Sequence, residues 1–318
     1  MNNNDTNNLN KLLLNEKSSF KTYCYYLLLF NGISIFFMIF WFCILFYYKA
    51  GPYHELYRYQ VNKLNKNHQN FNTVFLGDSS LGNALNAELF NSLSGLKSAN
   101  LALTGLYGFA GTYNMLKKSV KLNNIKNVII VHALDMMSKP VAYNGYFYSL
   151  DSLSDIIELK INETICLLET SINEIFSINS IKRIMLYYIL QKNKRDTIEK
   201  DYIKQMTKKK FSDNISNLTI NTNHDKLLFL KKIVNYCNNN KINLLYLHGP
   251  HLNNINSKSI KDIRITNMLI ESTGIKLIDN ICFLKQEQVG DNIDHVLPYY
   301  KEMSTHFYYK NIKDYLVY

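Results

Sequence analysis

Apolar residues gather along this chain in one long run and in several short ones. The long run, residues 23–48, reads YCYYLLLFNGISIFFMIFWFCILFYY and carries no charge between Lys21 and Lys49. At about 1.5 Å per helical residue it covers a hydrocarbon core of roughly 30 Å. Tyr23, Tyr25 and Tyr26 at one end, and Tyr47 and Tyr48 at the other, suit the two membrane interfaces. The pattern predicts a transmembrane anchor over 23–48, after a disordered Asn-rich tail over 1–22 and before a polar stalk over 49–72. A cleaved signal peptide fits less well, because the run is too long and no small-x-small site precedes Gly51-Pro52. Lysines flank both ends almost equally, so charge does not orient the span.

The short runs begin at residue 73. Thr73, Val74, Phe75 and Leu76 read as a buried strand ending at Gly77. Leu81, Ala84, Leu85 and Leu89 then recur at helical spacing. Residues 98–103 predict a second strand, 112–122 a helix, and Val128, Ile129, Ile130 and Val131 the clearest strand. Residues 151–215 are polar and mostly helical in pattern. Alternation resumes with a helix over 224–236, a strand over 242–247, a helix over 260–270, a strand over 275–278 and a C-terminal helix. Strands apolar on both faces, alternating with helices, predict an α/β fold: a parallel sheet flanked by helices in three layers. The domain runs from 73 to 318, with a helical insertion at about 151–215.

Composition changes this picture little. The net charge of +11 comes from 36 basic and 25 acidic residues, which raises nucleic-acid binding as an option. Only Arg58, Arg183, Arg195 and Arg264 are arginines, however, and the other basic residues are Lys in a chain rich in Asn. A phosphate reader favours clustered Arg, so no nucleic-acid partner is expected. Cys24, Cys43, Cys166, Cys237 and Cys282 show no pairing or metal spacing, so neither a disulfide framework, a metal nor a cofactor is expected.

In parallel sheets the chemistry lies at the carboxyl ends of the strands. The first such loop reads Gly77-Asp78-Ser79-Ser80. A Ser there has its hydroxyl and its amide near a helix N-terminus, which suits a nucleophile and a developing oxyanion. Helix capping by Asp78 or Ser79 is the plainer reading of the same residues. Gly105, after the second strand, lets a backbone N–H approach a ligand oxygen, or serves as an ordinary turn glycine. Near the end, Gly290-Asp291-Asn292-Ile293-Asp294-His295 places a His among carboxylates, the arrangement that orients a general base. His132, His248 and His251 are candidates for the same face, whereas His306 reads as packing or surface.

Taken in order, these blocks resemble the SGNH/GDSL hydrolase superfamily over roughly residues 73–318. Gly77, Asp78 and Ser79 match its nucleophile block, Gly105 its oxyanion glycine, and His295 its final Asp-x-x-His block. With the long apolar run, the chain looks like the membrane-tethered branch that handles acyl groups on cell-surface polymers, including alginate O-acetylation and teichoic acid D-alanylation proteins. Two departures stand out. The Asp-x-x-His position is Asn292, leaving Asp291 or Asp294 as the acid, with Asp291 one turn back the better placed. The third-block Asn has no match in His132-Ala133-Leu134-Asp135.

The resemblance implies a flavodoxin-like architecture and a catalytic set of Ser79, His295 and Asp291, with the amides of Ser79 and Gly105 as oxyanion hole. It implies a membrane-anchored, extracytoplasmic serine acyl esterase or O-acyltransferase acting on a cell-surface glycan. An acyl donor or acylated glycan would be its substrate, and a multispanning membrane protein the partner of a transferase. The alternative is a non-catalytic scaffold or glycan-binding subunit of the same fold.

Overall fold

The computed structural model describes residues 20–37, 39–40, 52–65, 70–139, 143–150, 161–176 and 224–318. Its centre is a five-stranded sheet of β1 (Thr73–Gly77), β2 (Ser98–Asn100), β3 (Asn127–His132), β4 (Asn243–His248) and β6 (Lys276–Ile278), in the order β2-β1-β3-β4-β6. Every pairing is parallel, and the register runs Gly77↔Val131 and His132↔His248 at the carboxyl edge. A short parallel pair, β5 (His251–Leu252) with β7 (Phe283–Leu284), continues beyond that edge.

Side-chain alternation divides the core in two. Val74, Leu76, Val128, Ile130 and Tyr246 enter one apolar cluster, while Phe75, Ile129, Val131, Leu245 and Leu247 enter the other. This is why the central strands are apolar at consecutive positions: each face must meet helices. Over the first face lie α1 (Pro52–Asn65), α4 (Gly108–Leu122), α5 (Tyr143–Ser149), α7 (His224–Asn239) and, through Ile270, α8 (Ser257–Glu271). Over the second lie α2 (Ser79–Ala84), α3 (Ala87–Ser94) and the C-terminal α9 (Lys301–Ile312). The fold is therefore α/β, a parallel sheet with helices on both sides.

The transmembrane helix expected in front of this fold is not found. Residues 20–37 and 39–40 are helical, but among the described residues no helix is long and apolar enough to cross a membrane. Lys21, Thr22 and Asn31, with three tyrosines, dilute the apolar content of these turns, and the Asn31 amide donates back to Leu27 O at 2.8 Å. Lack of charge alone does not make a run apolar enough. Residues 38 and 41–48 of the expected span lie outside the described residues, as does the tail over 1–19. The single-pass location and the extracytoplasmic placement rested on that span and fall with it.

The polar stalk also reads differently. Residues 52–65 form α1, whose Leu56, Tyr57, Val61 and Leu64 are buried in the first core. Gln60 Nε2 donates to Ala102 O at 2.7 Å, and Lys63 Nζ to Asn100 O at 3.2 Å, which ties the helix to the end of β2 and the chain just after it. Of the expected insertion over 151–215, only α6 (Ile161–Phe176) lies among the described residues, with Leu167 in the first core.

One glycine controls the approach of the two central strands at the carboxyl edge. A Cβ on Gly77 would sit 1.8 Å from Val131 O, on the paired strand rather than at a movable side-chain tip. Gly77→Ala is therefore expected to destabilise the domain by about 3 kcal/mol, since the clash can be relieved only by separating β1 from β3. Chemical denaturation measures this. A loss under about 1 kcal/mol would show that the strand pair yields more easily than its register implies.

Candidate functional site

At the end of β1 the chain turns directly into α2, and Asp78 is its N-cap. Asp78 Oδ1 accepts from Ser80 N at 3.0 Å and from Ser80 Oγ at 2.5 Å. Its Oδ2 accepts from Ala133 N at 3.0 Å and lies 3.3 Å from His132 Nδ1. His132 Nε2 is in turn 2.9 Å from Thr112 Oγ1. All of these side chains are buried. Burial pushes the Asp78 carboxyl up, but the hydrogen bond and charge of His132, with the Ser80 and Ala133 donors, outweigh it and bring the carboxyl down to about 2. Since Asp78 occupies the cap, the Ser79 hydroxyl is left free of that duty.

Ser79 Oγ lies 2.9 Å from His295 Nε2, and His295 Nδ1 lies 2.7 Å from Asp291 Oδ1. With Nδ1–H donating to Asp291, Nε2 presents a lone pair that accepts from the Ser79 hydroxyl. Ser79, more than two hundred positions away in sequence, thus joins Asp291 and His295 in one hydrogen-bonded chain at the carboxyl edge. Asp291 is half exposed, with 43% of its side-chain surface open, whereas His295 is 15% open.

The loop that carries His295 is held at several points. Val289 and Val296, both fully buried, form an antiparallel bridge beneath it. Gly290 N donates to His295 O at 2.8 Å, and His295 N to Asn292 O at 3.1 Å. The loop is a tight turn, not a helix, and it brings Asp291 against the ring by closing on itself. Leu252 N donates to Ile293 O at 2.8 Å, which fastens the turn to β5.

The nucleophile side is equally fixed. Asn83 Nδ2 donates to Ser79 O at 2.9 Å, and Lys301 Nζ to Gly82 O at 2.9 Å. Ser304 donates to Ala84 O, and Asn86 N donates to Thr305 Oγ1 at 2.9 Å. Side chains of α9 thereby satisfy carbonyls that the short α2 leaves open at its end. Gly249 is needed beneath this helix, because a Cβ there would lie 2.3 Å from Ser80 Oγ.

Gly105 sits in the turn closed by Tyr107 N donating to Thr104 O at 3.0 Å. Leu103 N donates to Gly77 O at 2.9 Å, so this turn runs beside the end of β1. Neither the Ser79 nor the Gly105 amide takes part in the described backbone hydrogen bonds of loops and caps. The other histidines are not drawn into the chain of Ser79. His248 Nε2 is 2.7 Å from Asn267 Oδ1, His251 Nδ1 is 2.7 Å from Leu252 O, and His306 is exposed. Burial holds both His248 and His251 toward the neutral form. Among the described residues, no group of three His, Cys, Asp or Glu side chains is arranged to hold a metal.

One network here escaped the sequence reading, and one residue named there as the alternative acid takes a place that the sequence did not indicate. The buried network of Asp78, His132 and Thr112 links three elements distant in sequence, and no spacing marks it. Asp294 is buried beside His295, its Oδ1 lying 3.7 Å from Nε2 on the side of the ring that faces Ser79. Burial is the largest effect on its carboxyl and raises it to about 6, against the opposing pull of His295.

Comparison with family models, curated proteins and solved structures yields no match to this chain. The resemblance to the SGNH/GDSL hydrolases and to their membrane-tethered branch is therefore not upheld. It rested on a few residues in short blocks, and in this chain two positions of those blocks already differ. The membrane-anchored esterase or O-acyltransferase of a cell-surface glycan, and the scaffold of the same family, are withdrawn with it. The glycan had no other support, and the anchor's own support, the apolar run over 23–48, gives no helix among the described residues long and apolar enough to cross a membrane.

Asp78 has a pH signature that can be measured. Its carboxyl falls from 3.8 in the unfolded chain to about 2 in the fold, so it stabilises the domain by about 2 kcal/mol. That contribution is complete above pH 3.8 and fades as pH falls through about 2. In Asp78→Asn it is absent at every pH, so the stability gap between wild type and variant should narrow on acidification. Urea unfolding from pH 6 to pH 2 follows this; a constant gap would mean that charge plays no part in the network.

Proposed function

We propose that the chain is a serine-nucleophile hydrolase of carboxylic esters. The observation that carries this reading is the continuous chain from Ser79 Oγ through both ring nitrogens of His295 to Asp291, at 2.9 Å and 2.7 Å. Such spacing lets the imidazole take the serine proton as the oxygen attacks an acyl carbonyl.

In the acylation step Ser79 Oγ bonds to the carbonyl carbon while its proton passes to Nε2. The carbonyl π electrons move onto oxygen, and the amides of Ser79 and Gly105 are the donors proposed to meet that charge. Collapse of the tetrahedral species breaks the carbon–oxygen bond, and Nε2 returns the proton to the departing alkoxide. Water, deprotonated by the same nitrogen, then releases the acid and restores Ser79. An alcohol in place of water would give acyl transfer through the same intermediate. Asp291 keeps Nδ1 protonated and steadies the transient imidazolium.

The test uses the full-length chain with p-nitrophenyl acetate and a fluorophosphonate probe. Wild type should be labelled on one serine, and Ser79→Ala should lose both labelling and turnover. Asp291→Asn should retain the fold but lower kcat by about 10²- to 10⁴-fold, because the ring loses the partner that fixes its tautomer. Labelling that persists in Ser79→Ala, or a wild type inert to ester and probe alike, would overturn the reading.

A further inference from the structure

His295 has carboxylates on two sides, and they are not equivalent. Asp291 is half exposed and hydrogen-bonded to Nδ1. Asp294 is buried, and its Oδ1 has no hydrogen-bond partner although it faces Nε2 from 3.7 Å. A buried carboxylate oxygen without a donor is costly, and most such groups in folded proteins are satisfied. The turn nevertheless holds it there, through the Val289–Val296 bridge below and the Leu252–Ile293 bond alongside.

The charges around Asp294 come from several elements. His295 is next to it on the same turn, Asp78 lies at the end of β1, and Asp135 and Lys139 follow β3. Asp135 and Lys139 are paired with each other at 2.9 Å and both are partly exposed. The Asp78 oxygens are already engaged by Ser80, Ala133 and His132. The cation best placed to meet the free Asp294 oxygen is therefore the one that forms on His295 when it takes a proton.

We propose that Asp294 is a positioning residue that stabilises protonated His295 from the nucleophile side, raising the rate of acyl transfer while setting the acid limit of activity. The proposal rests on the reading of Ser79 as nucleophile and His295 as base. When Ser79 gives up its proton, the new positive charge lies between two carboxylates instead of one. The same attraction operates in the free enzyme, where a proton on the ring blocks the base. Asp294 therefore strengthens the reaction at neutral pH and, until it is itself neutralised, opposes loss of the ring proton as pH falls. Burial raises the Asp294 carboxyl to about 6, so the group is ionised at neutral pH and its hold on the ring proton fades below that.

The sign of the effect discriminates this role from a purely structural one. A supporting residue, when replaced, lowers the plateau of kcat/KM without moving its pH dependence. Asp294→Asn is expected to lower the plateau several-fold and to move the acid limb downward, because an opposite charge no longer lies beside Nε2. Full-length wild type, Asp294→Asn and Asp294→Ala are compared on p-nitrophenyl acetate from pH 4 to pH 9, with unfolding curves to verify that each is folded. Ser79→Ala serves as the control for the reaction itself. If Ser79→Ala is inactive but the acid limb stays in place in both folded Asp294 variants, the role of Asp294 is refuted while the nucleophile stands. If wild type shows no Ser79-dependent turnover, both fall together.

Discussion

A single buried carboxylate joins the two strands on which the candidate site depends. Asp78 meets four donor atoms on two segments: the amide and hydroxyl of Ser80 at the start of α2, and the Ala133 amide and the His132 ring at the end of β3. Removing an ion from water costs several kcal/mol in a protein interior unless its oxygens are met. Here they are met, and the carboxyl stays ionised well below its usual range. The direction of the chain after β1 is thus set by charge and not by packing alone. Because Gly77 has no side chain, β3 can come close enough for Ala133 to reach that carboxylate. Ser79 is placed by its neighbour's interactions, which leaves its own hydroxyl for His295.

That arrangement explains what could be read from the chain beforehand. Val128 to Val131 announced a central strand because four apolar β-branched residues must face both helix layers, and two separate apolar clusters indeed receive them alternately. Asp291 and His295 were legible as a pair because four positions is a local separation that a turn can close. Their meeting with Ser79 was legible only through the rule that parallel strands gather chemistry at one edge.

The unreadable parts share a physical cause. Leu56, Tyr57, Val61 and Leu64 sit among polar residues, so α1 resembled a stalk until the core it covers was visible. The uncharged run after Lys21 resembled a membrane span because charge was weighed above the polarity of Asn31 and the tyrosines. The engagement of His132 with Asp78 and Thr112, and the burial of Asp294, depend on contacts across elements. No periodicity within a single segment carries that information.

Asp78 and Asp294 show how one edge of a sheet can treat two carboxyls in opposite ways. Both are buried, so desolvation raises both. Asp78 is surrounded by donors and its carboxyl ends below the usual range, whereas Asp294 lacks a donor on Oδ1 and ends above it. The first is spent on structure: its charge is matched before any substrate arrives. The second keeps an unmatched oxygen beside the one ring nitrogen that faces Ser79. In the resting arrangement the pull of His295 and Lys139 only partly offsets the burial of Asp294, whereas the donors around Asp78 more than offset its own. On the proposed reaction the fuller compensating charge is transient, appearing on His295 as the proton leaves Ser79 and vanishing when the leaving group takes it.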